Sequence, residues 1–128
     1  KPETKFWKEV KKNLPDIDFT RLESWASFGV PDLLCYHDSC GFFMIELKVA
    51  NGNKVHLSPH QKLFHMTHPK RSFILVKAHA PDPRNFMKAP RSPNRGSRLC
   101  ARELVRLMTG PLSALVCSGA RELERLQA

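Results

Sequence analysis

Residues 29–54 read GVPDLLCYHDSCGFFMIELKVANGNK. Two apolar runs, 32–37 and 42–49, flank the short turn stretch DSCG, so the segment is expected to form two strands of a hairpin. In the second run Phe43, Ile45, Leu47 and Val49 fall on one face, and Met44, Glu46 and Lys48 on the other. A strand that buries a face seldom carries ionised groups, because removing a charge from water is costly unless it is paired or binds a cation. Asp32, Glu46 and Lys48 therefore need a reason.

Geometry supplies one. A hairpin centred on Ser39 places Asp32 directly across from Glu46, with Cβ atoms about 4.5–5.5 Å apart. Glu46 and Lys48 share that face. A shift of one residue would break the arrangement, so it depends on register. Two carboxylates this close repel unless they share a proton or a divalent cation. Carboxylate oxygens, completed by the backbone carbonyl of Leu47 and water, suit Mg²⁺ or Mn²⁺. Such an ion would activate water and offset charge on a phosphate, with Lys48 steadying the nucleophile or the developing oxyanion. The plainer alternative is a surface ion pair of Lys48 with Glu46 or Asp32, worth about 0–1 kcal/mol. Asp32 would then merely open the turn after Pro31.

The whole chain has 128 residues, 41% hydrophobic and 26% charged, which fits one globular domain. Its 21 Lys and Arg against 12 Asp and Glu leave a formal charge of +9, which points to a polyanionic partner, nucleic acid before membrane. No apolar run is long enough to cross a bilayer. The N-terminal KPETKFWKEVKK is charged and amphipathic, unlike a secretion signal. A cytoplasmic setting, nucleoid or viral replication included, is expected. Cys35, Cys40, Cys100 and Cys117 form no CxxC pair and read as reduced thiols. CYHDSC is a zinc-like fragment without a second pair.

The remaining elements follow from local signals. Residues 2–13 read as a helix, with Pro2 in its first turn and Phe6, Val10 and Leu14 at helical spacing. Residues 18–25 suggest a first strand. Ser58 is an N-cap, Pro59 the first helical position and Gln61 the third, a capping box that starts a second helix. Residues 71–79 form a strong strand, reached by a crossover that implies parallel pairing. The expectation is α/β with a mixed sheet in a single domain: a core over 2–79, a basic Pro-rich loop over 80–97, and C-terminal helices with a short strand over 98–128.

Together, GVPD (29–32), IELK (45–48) and LSPHQ (57–61) resemble the PD-(D/E)xK nuclease superfamily, most closely the virus-type replication–repair nuclease group, across about residues 2–79. The resemblance implies a restriction-endonuclease-like αβββαβ core and Mg²⁺- or Mn²⁺-dependent cleavage of DNA, with a structure-selective endonuclease and a homodimer as models. It makes Asp32 and Glu46 metal ligands, Lys48 the catalytic lysine and Gln61 a polar residue facing the site. It also implies a carboxylate from the first helix; Glu3 fits best and Glu23 is the rival, while Glu9 is expected to be solvated. The expected partners are DNA and a second copy, with no membrane and no small-molecule cofactor. Alternatives are a recombination-type exonuclease and a catalytically idle DNA-binding or assembly protein on the same fold.

Outside the resemblance, residues 80–106 carry Arg84, Lys88, Arg91, Arg95, Arg98, Arg102 and Arg106 against Asp82 and Glu103. Arg91, Arg95 and Arg98 are candidate phosphate contacts, with Arg21, Lys54 and Lys62 elsewhere. Helix 98–109 presents an apolar face suited to the core or to a dimer seam. His60, His65 and His68 on the second helix raise a zinc alternative that lacks an HExxH pattern, and His56 or His60 is a further candidate DNA contact.

Overall fold

A computed structural model describes residues 2–22, 28–50, 54–77, 95–107, 114–117 and 123–124. The elements, in chain order, are α1 (Pro2–Asn13), β1 (Asp18–Arg21), β2 (Leu33–His37), β3 (Gly41–Val49), α2 (Pro59–Thr67), β4 (Ser72–Lys77), α3 (Arg95–Leu107) and β5 (Ala114–Cys117). The strands form one open mixed sheet in the order β1-β2-β3-β4-β5. Only β3 and β4 are parallel, joined through α2; the other neighbours are antiparallel.

Alternation along β3 and β4 splits the core into two layers. Phe43, Ile45 and Leu47 with Phe73 and Leu75 face Phe6 and Val10 of α1 and Cys100, Ala101 and Leu104 of α3. Ile74 and Val76 face the other way, with Ala50, Cys117 and Leu123. Strand β4 is buried on both faces, which is why Phe73–Val76 (FILV) is a continuous apolar run. Helix α2 lies on this second face and buries little: of its residues only His65 is buried, and Leu63 and Met66 are 59% and 47% exposed.

The hairpin register is the expected one. Leu33 faces Ile45, Tyr36 faces Phe42, and His37 faces Gly41. Arg71, at a left-handed φ of 54°, fixes the hairpin tip. Its guanidinium bonds the carbonyl of Cys40, its carbonyl accepts from Met44 N at 2.9 Å, and its N–H donates to the buried Ser97 Oγ at 2.7 Å. These bonds tie the tip to β4 and to the start of α3.

Several boundaries differ from expectation. β1 ends at Arg21, whereas it was expected to run to residue 25; residues 23–27 lie outside those described. The chain is already helical at Arg95, so the expected loop 80–97 stops short of its limit. The apolar period begins only at Cys100, and the first turn is anchored by a polar residue, Ser97, which the period does not register. Nor is the C-terminal part an appendage: α3 completes one core layer and β5 is the fifth strand. Residues 80–94 lie outside the described part. Among the described residues no helix is long and apolar enough to cross a membrane.

Candidate metal site

The site lies where β2 and β3 part. Asp32 immediately precedes β2 because its side chain replaces the ladder there. Its Oδ2 accepts the Leu47 N–H at 2.8 Å, while its own carbonyl accepts from Leu22 N at 2.8 Å. The observed register carries Asp32 to the position across from Glu46. Glu46 is only 2% exposed, and its Oε1 has no hydrogen-bond partner. Burial, then the neighbouring Asp32 carboxyl with which it shares a hydrogen bond, pushes the Glu46 carboxyl up to about 9; Lys48 and the Leu47 N–H act weakly the other way. A carboxyl raised this far favours its protonated form at neutral pH, and a divalent cation would favour its ionised form.

Lys48 takes neither carboxylate as an ion-pair partner. Its Nζ donates to Gln61 Oε1 at 2.9 Å, which removes the simple surface-pair alternative. The same Oε1 accepts from Ser58 N at 3.0 Å, and Ser58 Oγ accepts from Gln61 N at 3.2 Å. One amide oxygen therefore closes the capping box and holds the lysine. Capping and facing the site are not alternatives for Gln61.

Gly29 makes this junction possible. Its φ is +84°, and a Cβ built there would lie 2.3 Å from the carbonyl oxygen of His60 and 2.9 Å from Gln61 N. The loop that carries Asp32 is thus packed backbone-to-backbone on the first turn of α2. The GVPD and LSPHQ segments meet because residue 29 has no side chain.

In front of Asp32 a cleft of about 120 Å³ is lined by Glu3, Thr4, Trp7, Arg21, Leu33 and Leu47. Of the two candidate acids for a further ligand, Glu3 reaches this cleft; Glu23 lies outside the described residues. No group of three His, Cys, Asp or Glu side chains is close enough to hold an ion among the described residues, so Glu3 does not complete a three-carboxylate set with Asp32 and Glu46. The donors present are two carboxyls and the Leu47 carbonyl. Met44 and Ala50 donate toward β4, and Leu47 N points to Asp32, so the alternation turns the Leu47 carbonyl to the Asp32 side as well. This hard-oxygen set with an orphaned Glu46 Oε1 fits Mg²⁺ or Mn²⁺ if water fills the remaining positions.

The other candidates are scattered. Arg21 lines the cleft, and Lys54 and Arg95 are exposed elsewhere. Lys62 is ion-paired with Glu124, and Arg98 is half-buried. Arg91 lies outside the described residues. Glu9 is not solvated as expected: it is half-buried and ion-paired with Lys77 across the α1–β4 contact. The three α2 histidines do not converge. His60 packs on Phe28, His68 stacks on Phe64, and His65 is buried with Nδ1 2.8 Å from Ser72 Oγ. Burial, then His68 and Lys48, lowers His65 to about 4, so it is neutral. All four cysteines are buried, and none forms a disulfide. Sequence reasoning missed Thr4 and Trp7 in the cleft. Trp7 follows Phe6 at the margin of the α1 apolar stripe, and that was its only signal.

Comparison with known protein families, curated proteins and solved structures finds no match to this chain.

Proposed function

We propose that the chain is a Mg²⁺- or Mn²⁺-dependent DNA endonuclease that hydrolyses phosphodiester bonds, with a preference for branched, junction or flapped DNA. The observation that carries this reading is the buried Glu46 carboxyl beside Asp32, with one oxygen left unpartnered. A protein interior keeps such a pair only at a cost, and a cation-binding role accounts for it. The order α1-β1-β2-β3-α2-β4 is the one expected for a restriction-endonuclease-like core.

In this reading Asp32, Glu46 and the Leu47 carbonyl hold the ion. When bound, the ion lowers the pKa of water and offsets phosphate charge. Asp32 stays aimed through the Leu47 N–H, and Glu46 gives up its proton on loading. Lys48, kept at the site by Gln61, stabilises charge that builds on the phosphoryl oxygens. Glu3 and Arg21 border the cleft through which the scissile phosphate approaches.

The test is incubation of purified protein with supercoiled plasmid and a synthetic four-way junction in Mg²⁺, Mn²⁺ or EDTA, alongside Lys48→Ala and Asp32→Asn. Cleavage should require metal and vanish in both variants while DNA binding persists. Undiminished cutting by Lys48→Ala would place the chemistry elsewhere. Retained DNA binding with no cutting under any metal would favour the idle DNA-binding alternative.

A further inference from the structure

Helix α1 carries a surface fitted to the same class of substrate, and the inference rests on the reading above. The helix commits Phe6 and Val10 to the core and Glu9 to Lys77. Lys5, Lys8, Lys11 and Lys12 are left exposed. Lys5, Lys8 and Lys12 follow i, i+3, i+7 spacing, so they form one row. At 1.5 Å per residue that row is about 10 Å long. Phosphates recur about every 3.4 Å of axis along one strand, so the row matches about three of them.

Lys11, outside this row, lies on the side of the helix that borders the cleft. Lys11 Nζ lies 5.9 Å from the Trp7 ring centroid, and Trp7 lines the cleft with Arg21 and Asp32. The Trp7 ring is held edge-on by Phe19, with centroids 5.4 Å apart and planes at 85°. A half-buried, immobilised indole among cations is a surface on which an unpaired base can stack.

We propose that α1 is a nucleic-acid track: Lys5, Lys8 and Lys12 contact successive phosphates, and Trp7 stacks on an unpaired base at the mouth of the Asp32 cleft. The substrate class is then DNA with unpaired bases next to the cut, such as a flap, fork or frayed end. An anionic membrane fits less well, because Phe6 and Val10 of α1 are in the core and the remaining aromatic, Trp7, is half-buried against Phe19 with no second apolar anchor beside it on the helix.

The test measures binding in EDTA, with no cleavage, to a fluorescein-labelled single strand and to its blunt duplex. The duplex affinity of the wild type should fall about 40-fold further between about 50 and 200 mM KCl than that of K5A/K8A/K12A, since each lost phosphate contact removes about 0.9 from the log–log salt slope. The three side chains are exposed, and circular dichroism should show the triple variant folded. Trp25→Phe leaves Trp7 as the single tryptophan of the chain. Its emission should be quenched by the single strand much more than by the blunt duplex. Equal salt slopes, with Trp7 emission indifferent to DNA, overturn the track. Lysine-dependent binding to phosphatidylserine vesicles with an unaltered DNA slope also overturns it. A chain that binds through this row and never cuts would sink the nuclease reading and leave the track standing. Cutting that needs Asp32 and Glu46, with equal slopes, would do the reverse.

Discussion

The Lys48 amine and the Gln61 amide oxygen lie 2.9 Å apart, and that oxygen also accepts the Ser58 N–H. A residue in the first turn of a helix thereby holds the Lys48 amine at the candidate site. Gln61→Ala removes both bonds, and should cost about 1–2 kcal/mol in a urea titration. Gln61→Glu keeps an acceptor suited to the box and should stay within about 0.5 kcal/mol of wild type. Well below the melting temperature, Gln61→Ala should also cleave more slowly, because Lys48 loses its tether. A Gln61→Ala protein that is as stable as wild type and cuts as fast would deny both roles.

Gly29 is the point at which a small substitution should do the most harm. Alanine there meets a φ of +84° and a backbone oxygen 2.3 Å from its Cβ. The left-handed conformation alone costs about 1–2 kcal/mol, and the clash adds to it. The loop must lift from α2, which separates Asp32 from the turn that holds Lys48. Thermal denaturation of Gly29→Ala should show the loss of stability. Its midpoint shift with saturating Mn²⁺ should be smaller than the wild type's, because the ligands no longer converge.

Much of this was legible in the chain because it depends on short-range chemistry. A short turn and strict alternation fixed the hairpin register, so Asp32 and Glu46 could be set opposite one another by counting. Ser58, Pro59 and Gln61 announced α2 by capping alone. What escaped the reading depends on distant partners. Glu9 looked solvated because its partner, Lys77, lies on β4, far along the chain. That one Gln61 oxygen serves both the cap and Lys48 was not legible, because nothing local shows that Lys48 approaches the cap. The role of Ser97 at the start of α3 was hidden for the same reason: its partner is Arg71. The Gly29 contact with His60 is a backbone approach that no side-chain pattern records.

The carboxyl pair should make the metal-free protein alkali-sensitive. Glu46 titrates near 4.5 when unfolded and is raised to about 9 when folded. Between those values the native state binds more protons than the unfolded chain, so stability falls as pH rises. The contribution is complete below the unfolded value and gone above about 9. His65 has the opposite sign: depressed to about 4, it removes stability only as pH falls below about 6.5. From about pH 7 to 8 the Glu46 effect therefore dominates; toward pH 9 the Cys35, Cys40 and Cys100 thiols, raised by burial from 9.0, begin to add a decline of the same sign. In EDTA the melting temperature should decline over that range, and Glu46→Gln should flatten the decline and melt higher than wild type at the alkaline end. A wild-type profile that is level from pH 7 to 9 would contradict the shared-proton description.

Metal loading should run against the same proton. If Glu46 is a ligand, it must lose its proton before or as the ion binds, so each ion taken up at neutral pH releases close to one proton from this pair. Calorimetric titration with Mn²⁺ in buffers of different ionisation enthalpy should report that release. Affinity should rise by up to tenfold per pH unit below about 9 and level off above it. Glu46→Gln should abolish both the release and the pH dependence. Asp32→Asn should weaken Mn²⁺ binding, because one of the two carboxyls is lost, and should lower the pH above which affinity levels off, because the Asp32 carboxyl adds to the burial that raises Glu46. Proton release that persists in Glu46→Gln, or Mn²⁺ affinity independent of pH, would assign the ion to other ligands and leave the buried carboxyl without a cation to explain it.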